Sequence, residues 1–231
     1  MTRDRLATRL KKILAAEPSV ESAQARLAGR RRFEPELSYG RHHGPPPHTA
    51  RAAAVMLLLY PRGGASARGE VPDDVGTACV WQLPLTLRPA EIASHAGQVS
   101  LPGGAVEPGE TTREAALREL NEELGVAPAR VETLGSLAPF YVFATNFLVT
   151  PWIGIVDEEP PWRADPREVA AQLTLPLTAL AEPIAVEREI RLARGIEFGV
   201  PYLPLEGHHV WGATSMILGE FAAVLAAASI G

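Results

Sequence analysis

The chain has 231 residues, 46% of them hydrophobic and 21% charged, a composition near the globular average that excludes chain-wide disorder, collagen and coiled coil. Its 22 basic against 27 acidic side chains leave a formal charge of −5, which argues against a generic nucleic-acid binder. The lone cysteine, Cys79, excludes an internal disulfide framework and leaves too few thiols for a structural zinc site.

The first segment, residues 2–29, reads as helix, with Leu6, Leu10, Ile13 and Leu14 on one face, a break at Pro18 and a stop at Gly29. Arg30-Arg-Arg32 reads as a solvated basic run, and the prolines at 45–47 exclude helix and central strand there. A helical arm and Pro-rich connector over residues 1–49 is therefore expected ahead of a main domain over 50–231. Within that domain, residues 52–60 form a continuous apolar run expected as a buried strand, and the Gly-, Pro- and Asp-rich residues 63–76 read as a surface loop. Residues 79–87 are a second strand candidate, in which Pro84 predicts an edge or a bulge. Further strands are expected at 131–137, 141–143 and 147–156, a loop at Pro160-Pro161, and the start of a helix over 167–173. The apolar stretch 211–230 is interrupted by Glu220 and reads as a core-facing helix, because a carboxylate at mid-bilayer is expensive. No membrane partner is expected. The amino terminus lacks the apolar stretch of a signal peptide, so a cytoplasmic setting is expected. Strands mixed with helices indicate an α/β or α+β domain.

The chemistry concentrates in residues 103–126, G-G-A-V-E-P-G-E-T-T-R-E-A-A-L-R-E-L-N-E-E-L-G-V. Two glycines and Pro108-Gly109 make a turn that allows close backbone approach. Thr111 followed by Glu114 is a capping box that starts a helix at Thr112, and Gly125 supplies its stop. At 100° per residue, Glu119, Glu122 and Glu123 share an arc of roughly 100°, while Ala116, Leu117, Leu120 and Leu124 fill the adjacent arc and anchor the helix to the core. Ala115 lies on the acidic face one turn earlier and is small enough to admit a ligand. Glutamates at i and i+4 repel. A divalent cation removes that penalty, and hard carboxylate oxygens select Mg²⁺ or Mn²⁺. Arg118 can reach Glu122 one turn on, or Glu110 at the loop–helix junction, and so orient an acid.

These residues resemble the signature of the Nudix hydrolase family, G-x5-E-x7-R-E-U-x-E-E-x-G-U, where U is a bulky aliphatic residue. Gly104, Glu110, Arg118, Glu119, Leu120, Glu122, Glu123, Gly125 and Val126 match it. The resemblance implies an α/β/α sandwich around a mixed sheet and metal-dependent hydrolysis of a nucleoside diphosphate linked to another moiety. It implies further that Glu119, Glu122 and Glu123 hold the metal, that a glutamate (Glu119 first) activates water, and that Glu110 and Arg118 orient that group. Upstream, Thr86, Arg88, His95, Gly97, Pro102, Gly103 and Gly104 resemble the extension of the coenzyme A diphosphatase branch, with Pro89 in place of its usual Ser, Ala93 of a basic residue and Leu101 of Phe. Asp165-Pro-Arg-Glu-Val-Ala and Val210-Trp-Gly-Ala-Thr214 are similar to the same branch.

By that resemblance Arg88, His95, Gly103 and Gly104 are expected at the substrate, a small coenzyme A-like nucleoside diphosphate derivative. Coenzyme A or acyl-CoA would yield 3′,5′-ADP and (acyl-)4′-phosphopantetheine. ADP-ribose, a dinucleotide or a nucleoside triphosphate remains an alternative ligand, and a non-catalytic nucleotide sensor an alternative role. The resemblance also leaves open a homodimer to which the arm contributes. Cys79 is expected in the core. His208 and His209, adjacent in a strand, are expected to point to opposite faces.

Overall fold

The computed structural model describes residues 2–36, 45–62, 81–90, 97–181, 183–193 and 195–229. The expected loop 63–76, Cys79, Ala93 and His95 lie outside them. The organising element is strand β1 (Arg51–Pro61). Its side chains alternate between two faces, and both faces are buried. Ala54, Met56, Leu58 and Tyr60 point to one apolar cluster, Ala53, Leu57 and Leu59 to another. A strand buried on both sides reads as continuous apolar sequence, which is why residues 52–60 show no polar alternation.

Strand β1 pairs with β2 (Trp81–Leu87), with β4 (Gly103–Ala105) and, in parallel, with β7 (Phe147–Ile155). The sheet is completed by antiparallel pairs: β3 (Val99–Ser100) and β8 (Ala171–Pro176) on β2, and β5 (Glu132–Ser136) and β6 (Phe140–Val142) on β7. It is therefore mixed. Helix α3 (Thr112–Leu124) covers one face through Ala115, Ala116, Leu117, Leu120 and Leu124. The other face is covered by α1 (Arg3–Ala15) and the C-terminal α4 (Gly212–Ser229), with α2 (Val20–Arg31) laid on α4. The architecture is the expected α/β/α sandwich. The N-terminal helices pack into this core, where Leu6, Leu10 and Phe33 are fully buried.

Four expectations need correction. Gly29 does not end a helix; it lies inside α2, where it meets Gly219 of α4 so closely that a Cβ on either would strike the other's backbone carbonyl. One turn of contact glycines brings two helix backbones together, a packing role that overrides glycine's poor helix propensity. Arg30 is not part of a solvated run. It is buried, ion-paired to Glu220 of α4, and its guanidinium lies 4.5 Å from the Phe140 ring. The pair answers a buried carboxylate with a buried cation. Pro84 lies in a strand paired on both sides rather than at an edge or bulge. It stands opposite Thr174 of β8, while on the other side β1 reaches only to Gln82 and β3 begins at Thr86, so its missing N–H falls in a gap of the ladder. Residues 167–173 do not start a helix. They form a turn after Asp165, whose Oδ1 accepts the Arg167 N–H at 2.9 Å, and then enter β8.

A second, three-stranded antiparallel sheet, with β10 central, follows: β9 (Glu187–Ala193), β10 (Ile196–Leu205) and β11 (His208–Trp211). Among the described residues no helix is long and apolar enough to cross a membrane.

Candidate active site

The acidic helix begins and ends as its sequence requires. Thr111 Oγ1 accepts the Glu114 N–H at 3.2 Å while Glu114 accepts the Thr111 N–H at 2.7 Å, closing both halves of the capping box. Trp152 Nε1 of β7 donates to Thr112 Oγ1 at 3.1 Å and ties that end to the sheet. Gly125 terminates the helix at φ 73°, a left-handed conformation that favours glycine.

The glycine turn ahead of the helix docks on β1, with Gly103 opposite Val55 and Gly104 opposite Ala54. A side chain at Gly103 would strike the Ala54 carbonyl, and one at Gly104 would lie 2.6 Å from the Glu119 carboxyl carbon. Both glycines therefore lie against the acids: the Gly103 N–H donates to the Glu123 carboxylate, and Gly104 leaves room for Glu119.

Arg118 organises the rim. Its Nε and Nη2 grip Glu110 bidentately at 3.1 and 2.8 Å; Nη1 donates to Glu119 Oε1 and Glu122 Oε2, each at 2.9 Å; Nη2 also reaches the Ala105 carbonyl at 3.1 Å. Planar bidentate pairing of this kind fixes position as well as charge. Both alternatives left open by the sequence, Glu110 and Glu122, are thus used at once. The Arg118 hydrogen bonds hold the Glu110 carboxyl below the usual carboxylate range, helped by the Glu107 N–H at 2.7 Å.

The inner acids behave in the opposite way. Glu123 is 2% exposed, and its Oε2 has no hydrogen-bond partner among the described residues. Burial first, and then the nearby Glu119 charge, push its carboxyl up to about 8, against the opposing pull of Arg88 and the Gly103 N–H. Glu119 is also raised, by burial above all. Glu168, a residue outside the signature, is the third member of the group. One oxygen from each of Glu119, Glu123 and Glu168 lies within 4.8 Å of the others, the one such group found among the described residues. Glu122 stays outside this inner group, its side chain half exposed and held by Arg118. Glu168 reaches the cluster because the chain after Pro160-Pro161 runs across the end of α3. The Arg163 N–H donates to the Leu124 carbonyl and the Asp165 N–H to the Glu123 carbonyl, each at 3.0 Å, and the turn that follows carries Glu168. The only sequence signal for it was its place in the Asp165-Pro-Arg-Glu stretch.

An unpaired buried carboxylate oxygen facing two further acids is an unstable arrangement unless a cation sits among them. Three hard oxygen donors fit a divalent cation of the Mg²⁺ type. Arg88 stands at the same place. It lies near enough to Glu123 to draw its pKa down, and its buried Nε has no partner among the described residues.

A cluster of three acids beside the helix on one face of an α/β/α sandwich is an arrangement that a metal-assisted enzyme would use. Comparison with known proteins narrows that class. The NUDIX domain description matches residues 82–193. The proteins called uncharacterized Nudix hydrolase NudL in Salmonella paratyphi B and Salmonella newport are each 40% identical over 146 residues, covering 61% of this chain and 73% of theirs. Among solved structures, the Nudix hydrolase RenU of M. smegmatis is 22% identical over 56% of this chain and 73% of its own, with a TM-score of 0.43. The MutT protein of Methanosarcina mazei Go1 is 16% identical over 74% of this chain and 91% of its own, with a TM-score of 0.44. The chain belongs to the Nudix hydrolase family, whose members act on small nucleoside diphosphate derivatives and generally use divalent metal ions.

Proposed function

We propose that the chain hydrolyses the diphosphate of coenzyme A or acyl-CoA in the presence of Mg²⁺ or Mn²⁺, releasing 3′,5′-ADP and (acyl-)4′-phosphopantetheine. The observation that carries the hydrolytic part is the buried, unpartnered Glu123 Oε2 among Glu119 and Glu168, with the Arg88 cation beside it. Glu119, Glu123 and Glu168 would hold the cation from the protein side, and Glu122 from the solvent side. Bound there, a divalent ion neutralises diphosphate charge and acidifies water.

The remaining work falls to the chain itself. Glu119 accepts the proton of the attacking water; Arg118 fixes its Oε1, and burial holds its basicity above that of an exposed carboxylate. Glu110, saturated by Arg118 and the Glu107 N–H, keeps Arg118 in place. Arg88 supplies a donor to a diphosphate oxygen. The coenzyme A assignment is supported by the resemblance at Thr86, Arg88, Gly97 and Pro102–Gly104, and Trp211 belongs to a second stretch similar to that branch. Ala93, in place of a basic residue, favours a second reading in which the same chemistry acts on ADP-ribose or another nucleoside diphosphate derivative.

The test is a panel of diphosphates assayed with Mg²⁺ and Mn²⁺, with products identified by mass spectrometry in ¹⁸O-water. Turnover of coenzyme A to 3′,5′-ADP supports the first reading. Comparable turnover of dephospho-coenzyme A and ADP-ribose, with none of coenzyme A, replaces it with the second.

A further inference from the structure

A concave space of about 250 Å³ lies away from the acids, where the second sheet meets the β2–β3 edge. Gln98 and Val99 form one wall, and Arg191, His208, His209 and Trp211 the other. Its link to the acidic site is direct. The Arg88 N–H donates to the Gln98 carbonyl at 3.0 Å and the Gly97 N–H to the Arg88 carbonyl at 3.2 Å, so one short backbone ladder has the diphosphate-facing Arg88 at one position and the pocket wall at the next. Sites that enclose a whole drug-sized ligand run to roughly 300–1,000 Å³; this one suits a single ring system.

The wall is built of planar groups held flat. The Arg191 guanidinium lies 4.1 Å from the Trp211 ring centroid and donates through Nε to Glu189 at 2.5 Å. Glu189 is bonded in turn to His209 Nδ1 at 2.8 Å, and His209 is stacked on Tyr202 with ring centroids 3.8 Å apart. Cross-strand register puts Trp211 opposite Tyr202 and Tyr202 opposite Glu187, whose carboxylate accepts the Tyr202 hydroxyl at 2.6 Å. A partly exposed tryptophan and a guanidinium, locked by neighbours and lining a recess, form a stacking platform for another aromatic ring. None of these side chains is needed by the acidic site.

The geometry points to this recess as the subsite for the nucleobase of the substrate, stacked on Arg191 and Trp211 while its diphosphate lies across Arg88. The inference rests on the proposed action on a nucleoside diphosphate derivative and names the half of that ligand which the second sheet recognises. Base–aromatic stacking is sequence-tolerant; the platform therefore supplies affinity for a base, and the polar edge of the recess supplies any choice among bases.

The test separates base recognition from hydrolysis. Binding of AMP and of ribose 5-phosphate, which lacks the base, is measured by calorimetry on the full chain with Mg²⁺, alongside KM and kcat for coenzyme A and ADP-ribose. AMP is expected to bind the wild type at least tenfold more tightly than ribose 5-phosphate. Trp211→Ala and Arg191→Ala should remove that difference and raise KM about ten- to a hundredfold, with the loss confined to KM. Trp211→Phe should restore most of the affinity, which a merely structural role for the indole would not predict. The inference is overturned if AMP and ribose 5-phosphate bind the wild type alike, or if AMP binds a folded Trp211→Ala variant as tightly as wild type. AMP binding that depends on Trp211 in a protein that turns over neither diphosphate supports the subsite and sinks the hydrolytic reading instead.

Discussion

Replacing Glu123 by Gln should stabilise the metal-free protein and abolish its response to metal. In the folded chain the Glu123 carboxyl is pushed from its ordinary 4.5 up to about 8. At 1.36 kcal/mol per unit, keeping it charged in place opposes folding by about 5 kcal/mol. At pH 7 the group escapes part of that by taking up a proton, which leaves about 3 kcal/mol of lost stability relative to an acid that titrated normally. The sign follows from the direction of the shift. A raised folded-state pKa favours the fold at pH below 4.5, and that advantage is lost progressively as pH rises to 8. Gln does not titrate, can still accept the Gly103 N–H, and turns an N–H₂ toward the neighbouring acids.

Urea unfolding in EDTA at several pH values between 4.5 and 8.5 measures this. Near pH 4.5 the two proteins should unfold together. By pH 8 Glu123→Gln should be more stable, by about 1–3 kcal/mol once relaxation of the site is allowed for. A ligand present at a hundred times its Kd stabilises the native state by about 2.7 kcal/mol, so saturating Mg²⁺ should close or reverse the gap by rescuing wild type alone. Identical pH profiles for the two proteins in EDTA, or an equal gain from Mg²⁺ in both, would refute the account of a repelling cluster relieved by a cation.

Three further perturbations separate structure from chemistry. Gly104→Ala puts a methyl group against the movable end of Glu119 rather than against backbone, so kcat should drop at least tenfold while Tm changes by no more than about 2 °C; an unaltered kcat would mean that Glu119 need not sit there. Arg118→Ala removes the group that orients Glu110, Glu119 and Glu122, and loss of such outer partners lowers metal affinity or activity by about 10–100-fold, measurable by Mg²⁺ titration of the rate. Gly29→Ala gains up to about 1 kcal/mol of helix propensity but drives a methyl group into the Gly219 carbonyl; backbone cannot swing aside as a side chain can, and an overpacking loss of about 1–3 kcal/mol should win, lowering Tm by several degrees in a thermal melt with kcat unchanged.

What could be read from sequence tracks how local its cause is. The capping box at Thr111, the stop at Gly125 and the shared face of Glu119 and Glu123 are set within one helical segment, and the structure has each where its spacing requires. Glu168 has only the resemblance of the Asp165-Pro-Arg-Glu stretch to mark it, because its partners are distant in sequence; it joins the cluster through the bonds of Arg163 and Asp165 to the last carbonyls of α3. The Asp165-Pro166-Arg167 start is ambiguous, because Asp and Pro suit a helix N-terminus as well as a turn. The alternation of Leu173 and Leu175, both buried, was the period-two signal that favoured the strand. Gly29 carries the same ambiguity in reverse: a helix stop and a helix–helix contact both ask for glycine, and only the position of Gly219, far along the chain, tells them apart.

The same logic explains why α3 carries two kinds of acid on one face. Glu122 on the helix, and Glu110 just ahead of it, are both paired to Arg118 at the rim. Glu119 shares that arginine but turns inward, and Glu123 has no ion-pair partner among the described residues. Had the helix needed only solubility, exposed glutamates would have served, and burying Glu123 behind Gly103 would have no compensation. A carboxylate kept at 2% exposure with one oxygen unpaired is retained where occupancy by a ligand offsets it. The charge that destabilises the empty fold is then the charge that gives the filled site its affinity.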